Sequence, residues 1–346
     1  MPLSIEAARS LWDPAGTYLN TASFGLPPRP AWDALQAALD DWRTGRTSWE
    51  HWGKATESAR GSFARLIGVE ASTVAVGATV SGFVGLVASS LPDGSRVLAP
   101  EIEFTSTLFP FLVEARRGVT VHTVPAAQLA GAIDETTDLV AFSAVQMATG
   151  EVADLAAIAA AARAHGALTL VDATQACGWL PLDGNAFDIV VAAGYKWLLS
   201  PRGTAYMAVA PARLGGIVPS AAGWYAGEDV HTSYFGPPLR LAVDARRLDT
   251  SPAWHSWVGA APALALIEEI GVAAIHEHDL ALANRFRAGL GEAEGDSAIV
   301  FVDAPGAEEK LVRAGIRAAV RNGRLRTSWH VYNTDEDVAR ALTALT

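Results

Sequence analysis

Seven short, largely apolar runs recur through the first 210 residues, at 73–76, 96–98, 120–123, 138–143, 168–172, 188–192 and 204–209. Helix-forming stretches such as 82–90 and 155–165 lie between them. This alternation constrains the fold more than any other feature. Parallel strands need a crossover between them, normally a helix, so the pattern predicts a mostly parallel sheet with helices on both faces. The segment DLAAIAAAARAHG is rich in alanine and reads as a true helix, with Gly166 as its stop. No internal repeat is present.

Beyond about residue 211 the pattern loosens. Residues 215–245 are rich in Gly, Pro, Ser and aromatics, as a long site-lining loop would be. A long helix is expected at 254–270. Strands at 298–302 and 325–330 suggest a second, smaller unit. The expected organisation is an N-terminal arm (1–17) packed on the small domain, a large domain (18–245) and a small α+β domain (246–346). A length of 346 residues suits about two domains.

Half the residues are hydrophobic and only 18% are charged, so a large core can be built. The formal net charge of −11 argues against nonspecific nucleic-acid binding but leaves room for a local anion site. A single cysteine excludes an intramolecular disulfide and a CxxC metal site, and a reducing cytoplasm is the expected compartment. The first residues lack the basic and apolar regions of a signal peptide. The longest apolar run, near 83–91, is well short of the ~20 residues that span a bilayer, so no membrane partner is expected.

Three groups of residues bear on chemistry. Lys196, in AAGYKWLLSPRG, follows an apolar strand. The carboxyl ends of strands are where α/β sheets bind ligands, and desolvation there makes a lysine amine nucleophilic. Alone, it reads more readily as a surface lysine in a turn. Asp172, in LVDATQACG, ends another strand and suits a pyridinium proton, a ribose hydroxyl, a metal or simply a helix N-cap. Gln175 lies one turn on. The VGATVSGF segment at 76–83 is a Gly/Ser/Thr turn entering a helix, suited to a phosphate or to ordinary capping. It is neither a P-loop nor GxGxxG.

The order of these elements resembles the fold-type I pyridoxal-phosphate enzymes, specifically the class V aminotransferase and cysteine desulfurase superfamily. The most specific stretch is VDATQACGWLPLDGNAFDIVVAAGYKWLLSPRGTAYM, residues 171–207. The resemblance implies a seven-stranded, mostly parallel sheet plus a small C-terminal domain, with pyridoxal 5'-phosphate as cofactor and no metal. It implies that Lys196 forms the Schiff base and Asp172 pairs with the pyridinium nitrogen, making the ring an electron sink for the carbanion or quinonoid formed at the substrate α-carbon. Gln175 would meet the phenolic oxygen. Val80, Ser81 and Gly82 would cradle the phosphate with Tyr195, Phe104 would stack on the ring, and Gln146 would lie beside it. Arg326, before Tyr332-Asn333-Thr334, corresponds to the clamp for the substrate carboxylate, with Arg321 and Arg324 as rivals. Asn20 and Ala22 match a segment near the substrate. Thr250 and Ser251 match a loop reaching the neighbouring subunit's phosphate, which implies a homodimer with shared sites.

The chain also departs from the superfamily pattern. The cysteine-bearing loop of desulfurases is missing, since VRNGRLRTS runs straight through, and Cys177 reads as a small core residue. Phe104 stands where desulfurases carry an acid/base histidine. Kynureninase-like relatives share the aromatic stacker and the Tyr-Lys pair, though this chain is short for that group. His51, His255 and His330 read as structural. The expected activity is transamination of a small amino acid or related amine. A β-eliminating C–S lyase and an epimerase are alternatives, and a non-enzymatic scaffold is disfavoured by the intact Lys196, Asp172 and Gln175.

Overall fold

The computed structural model describes residues 2–345 except Asn322. Its main sheet has seven strands: β1 (Val74–Gly77), β2 (Arg96–Pro100), β3 (Thr120–Val124), β4 (Leu139–Ser143), β5 (Leu168–Asp172), β6 (Ile189–Ala193) and β7 (Ala205–Val209). Their spatial order is β1-β7-β6-β5-β4-β2-β3. Only β7 runs against the others, pairing antiparallel with both β1 and β6. The sheet follows the sequence expectation because its central strands are mostly apolar and buried along almost their whole length. A strand buried on both faces has no polar side to alternate.

Successive residues feed opposite layers. Val74, Val76, Val190 and Ala192 enter one core, while Ala75, Ile189, Val191 and Ala193 enter the other. The first layer includes α1 (Ile5–Arg9), α2 (Arg29–Thr44) and α3 (Trp49–Leu66); the second is built on α4 (Val80–Ser90) and α5 (Thr105–Val113). A short α6 (Leu129–Ala132) and α7 (Leu155–His165) complete the first layer. Gly166 closes α7 at φ 74°, the left-handed cap expected of it.

The C-terminal part comprises α8 (Trp254–Ile270), α9 (Val272–Gly289), β8 (Ile299–Val302), α10 (Ala307–Arg313), β9 (Ala319–Arg321), β10 (Arg324–Ser328) and α11 (Asp335–Leu345). The three strands form an antiparallel sheet ordered β8-β10-β9. Leu282, Phe286, Val300, Leu325, Trp329 and Val338 supply its separate core. Helix α8, read from sequence as part of the smaller domain, packs instead on α2 and α3 and buries Trp257, Leu264 and Ile267 in the first layer. Strand β9 has three residues, too few to show a period. The arm is tied down where the Leu3 amide donates to the Glu269 carbonyl (2.9 Å). Among the described residues, no single helix is long and apolar enough to cross a membrane.

One buried ion pair joins α3, β1 and the segment before α8. Arg60 donates to Asp249 (2.6 Å) and to the Val74 carbonyl (2.6 Å), and Asp249 accepts from the Val76 amide (2.8 Å). Glu57 adds a second carboxylate at 2.9 Å. Removing one partner of such a pair strands a buried charge. Arg60→Leu is therefore expected to destabilise the fold by about 3–5 kcal/mol. A lower urea midpoint at unchanged slope will show it; an unchanged midpoint refutes it.

Candidate active site

Lys196 sits in the turn between β6 and β7, and its position is fixed by backbone contacts on several sides. Gly25 N donates to the Tyr195 carbonyl (2.9 Å), Leu199 N to the Lys196 carbonyl (3.2 Å) and Ser200 N to the Gly194 carbonyl (3.0 Å). A Cβ on Gly25 would lie 2.0 Å from the Lys196 oxygen, so only glycine fits there. Leu199 adopts φ 54°, a left-handed conformation that costs a bulky residue roughly 1–3 kcal/mol. Three residues after the lysine, this strain marks a turn held by its surroundings.

The pocket around the amine is lined by Ala78, Thr79, Val80, Ser81, Phe104, Met147, Asp172, Thr174, Gln175, Tyr195 and Arg202, among others. Lys196 is 5% exposed. Its pKa is drawn down from 10.5 to about 8, first by desolvation. Asp172 opposes this, while Arg326, Arg202 and Arg321 add to it. Roughly a tenth of the amine is thus uncharged at pH 7, far more than an ordinary lysine offers, and the neutral form is the nucleophile or base.

Asp172 lies at the end of β5 as its sequence position implied. Thr107 Oγ1 donates to Oδ2 (3.0 Å) and the Thr174 amide to Oδ1 (2.8 Å). Gln175 donates one amide hydrogen to the Ala22 carbonyl (3.0 Å) and accepts from Trp197 Nε1 (2.7 Å), which leaves its second amide hydrogen for the pocket. At the start of α4, Thr79 caps the helix by accepting from Gly82 N (3.2 Å). Gly82 is therefore engaged within the cap and does not line the pocket. Val80 and Ser81 do, and their N–H groups, in the first turn, lack intrahelical acceptors.

Other expected residues fall differently. Gln146 faces away from this pocket and donates to Glu103 (2.9 Å); Met147 takes its place in the lining. Glu103 also accepts from Ser143 N (2.8 Å), Ser143 Oγ (2.5 Å) and Phe104 N (2.7 Å). It thereby anchors Phe104, whose ring centroid lies 5.7 Å from Lys196 Nζ. Thr250 and Ser251 do not line the pocket of their own subunit; the Thr250 amide is directed at the Val76 carbonyl (3.4 Å). His51, His255 and His330 are likewise outside the lining. Cys177 is buried and its thiol is pushed up to about 12, chiefly by desolvation and further by Asp172. It is not a nucleophile.

Arg326 is 1% exposed and does not itself line the pocket. Its Nη2 donates to Ser23 Oγ (2.5 Å) and, at 3.5 Å, faces Asn20 Oδ1. Nε and Nη1 have no partner. Desolvation, with Arg321 nearby, lowers its pKa to about 10 against the opposing effect of Tyr18. Ala22 braces this corner, since its amide donates to Ser328 Oγ (3.0 Å). Of the rivals, Arg324 is paired with Asp303 (2.9 Å). Sequence reading missed Arg202. Its guanidinium carbon stands 4.9 Å over the Tyr195 ring, beside Thr79–Ser81 in the lining, and no acidic residue pairs with it among the described residues. A cation following a lysine-bearing turn was the available signal.

The aminotransferase class-V family pattern matches residues 18–308. The chain is 30% identical to the uncharacterized aminotransferase YcbU of Bacillus subtilis (strain 168), over 94% of this chain and 92% of the relative. The chain belongs to the aminotransferase class-V family. It is also 30% identical to an isopenicillin N epimerase of Streptomyces clavuligerus, over 97% of this chain and 96% of that protein. In fold it matches the cystine C-S lyase C-DES with a TM-score of 0.86 at 23% identity, covering 96% of this chain and 97% of that one.

As a class-V enzyme the protein depends on pyridoxal 5'-phosphate, and its pocket fits that group. An amine of lowered pKa, a strand-end carboxylate, an aromatic ring and a helix N-terminus converge on one cavity. The buried guanidinium with two unpartnered nitrogens suits the carboxylate of an amino-acid substrate.

The lysine's burial has a measurable cost. Its folded pKa lies below its unfolded value, so the penalty is fully present below about pH 8. It shrinks as pH rises from about 8 to 10.5 and is absent above. Lys196→Met should accordingly stabilise the cofactor-free protein at neutral pH by about 3 kcal/mol, with the gain vanishing in strong alkali. Parallel melting curves of both proteins across pH will show whether the difference closes.

Proposed function

We propose that the protein transaminates an amino acid, with Lys196 as the one group that moves the α-proton. The carrying observation is the arrangement across the pocket. Lys196 Nζ lies 5.7 Å from the Phe104 centroid, and a hydrocarbon ring neither takes nor gives a proton. Asp172 is tied to Thr107 and Thr174, and desolvation raises the Tyr195 phenol above its ordinary value, so it does not serve as a base. A proton lifted by Lys196 is then returned from the same side. Inversion at the α-carbon would call for a second acid or base facing it.

Pyridoxal phosphate, when bound, supplies the electron sink for charge left at the α-carbon. The chain's own residues do the rest. Val80 and Ser81 amides and Arg202 bind the phosphate. Asp172 holds a proton on the ring nitrogen, and the free Gln175 amide hydrogen meets the phenolic oxygen. Phe104, pinned by Glu103, covers the ring. Arg326 grips the substrate carboxylate through Nε and Nη1, held in place by Asn20 and Ser23. Epimerisation and β-elimination begin with the same proton removal, so products separate them. With an amino-acid panel, transamination releases a keto acid and leaves the aminated cofactor. Free ammonia released along with pyruvate means elimination, and loss of optical activity with no keto acid means epimerisation. Either of those outcomes overturns the assignment.

Arg326→Lys keeps the charge but loses the paired donors. We expect kcat/KM for the amino acid to fall about 100-fold, equivalent to about 3 kcal/mol, with cofactor affinity unchanged. Arg202→Met should do the reverse, weakening capture of pyridoxal phosphate and sparing KM.

We also propose a homodimer. Phe109, Leu112 and Val113 on α5, next to the pocket residue Phe104, are 57%, 46% and 66% exposed. Phe235, Leu239 and Val243 of the long loop are more exposed still. Apolar surface of this kind marks an interface. In such a dimer Thr250 and Ser251 would serve the neighbouring site. Sedimentation should give twice the chain mass, and Phe109→Asp should halve it.

A further inference from the structure

His330 has no role in the chemistry above, yet it is wholly buried and its bonds lead to the lysine. It follows β10 in the smaller domain. Nδ1 lies 2.9 Å from Asp279 Oδ2 on α9, and Nε2 lies 3.1 Å from the carbonyl oxygen of Trp197, the residue after Lys196. Both His330 and Asp279 are 0% exposed, and Asp279 Oδ1 has no partner.

A carbonyl only accepts, so Nε2 carries a hydrogen. Nδ1 and Asp279 share one further proton, and the pair is neutral overall whichever of them holds it. The other titratable groups around the pair are His278 on α9, on which Arg9 of α1 also acts, and Tyr332, whose ring meets His330 edge-on at 5.8 Å. The loop end is equally constrained. A Cβ at Gly178, where φ is 104°, would lie 2.6 Å from the same Trp197 oxygen. The Trp197 indole meets His330 edge-on at 5.2 Å and donates to Gln175.

We infer that His330, oriented by Asp279, is a positioning residue for Lys196: from the smaller domain it holds the peptide after the lysine and so sets where the amine stands. The inference rests on Lys196 being the amine that binds the cofactor. Since the dyad belongs to β10 and α9, and the carbonyl to the main sheet's loop, any shift of the smaller domain is transmitted to the amine through this bond.

The test compares His330→Gln, whose amide reaches toward Trp197, with His330→Asn, which stays near Asp279 and falls short of the carbonyl. Each full-length protein is loaded with pyridoxal phosphate, and its visible band is recorded against pH. The capture rate of the cofactor by the cofactor-free protein is also measured. We expect His330→Asn to move the band's titration by about one pH unit, a tenfold change in the proton equilibrium, and to slow capture about as much. His330→Gln should stay within about threefold of the parent, although both melt at similar temperatures. From the other end, Asp279→Asn should preserve the profile and Asp279→Leu should move it. Equal effects of Gln and Asn, or a band that none of the four variants moves, overturns the positioning role. A parent protein with no visible band at all would overturn the Lys196 assignment instead.

Discussion

Lys196 carries an amine into a buried site, and the surrounding structure answers to that constraint. Desolvation alone would favour turning the side chain outward. The turn does not allow this, because its carbonyls are bonded from three directions and Leu199 is held left-handed. Such strain persists only where neighbours over-determine the backbone. Here the neighbours are a glycine from the N-terminal segment (Gly25), one from the Asp172 segment (Gly178) and a histidine from the smaller domain. The lysine's lowered pKa is therefore a property of the whole assembly.

Electrostatics at the pocket run against the chain as a whole. The protein has a net charge of −11, yet Arg202, Arg321 and Arg326 all act on Lys196, with Asp172 as the opposing charge. Elsewhere arginines such as Arg29, Arg60, Arg65 and Arg117 are matched with carboxylates. Cations left unmatched around a concave site favour anionic ligands, and a phosphate and a carboxylate supply the missing charge. Binding these groups also removes like-charge repulsion between the guanidiniums and the lysine.

What was legible in the sequence was what lies close together in it. Residues 171–207 run from the end of β5, at Asp172, through the fully apolar β6 to the turn that carries Lys196, so the strands and the place of the functional groups are read in one stretch. The helix at 155–165 and its glycine stop were legible for the same reason. Gln146 was misplaced because its partner, Glu103, lies 43 residues away and outcompetes the pocket for its amide. Gly82 looked like part of a phosphate cradle because local spacing cannot show that Thr79 already holds its N–H. The role of His330 depends on Asp279, 51 residues away, and on Trp197, 133 residues away. Helix α8 carries no mark in its own composition of the helices it will pack against.

These long-range bonds also explain why the site needs both parts of the chain. The large sheet delivers Lys196, Asp172 and the α4 N-terminus from strand ends, a rigid arrangement whose geometry comes from the ladder. The smaller sheet delivers Arg326 on β10, and four residues later the same stretch delivers His330. The group that would grip the substrate carboxylate and the group that holds the lysine's peptide thus ride on one short piece of backbone. That piece is itself sewn to the N-terminal segment, where Ser328 N donates to the Leu19 carbonyl (2.9 Å) and Asn333 Nδ2 to the Tyr18 carbonyl (2.9 Å). On the proposed reading, a carboxylate held by Arg326 would act on the same stretch of backbone that His330 joins to Trp197. If Arg326 grips the substrate carboxylate as proposed, substrate binding and amine placement share one scaffold, and no separate switch is needed to couple them.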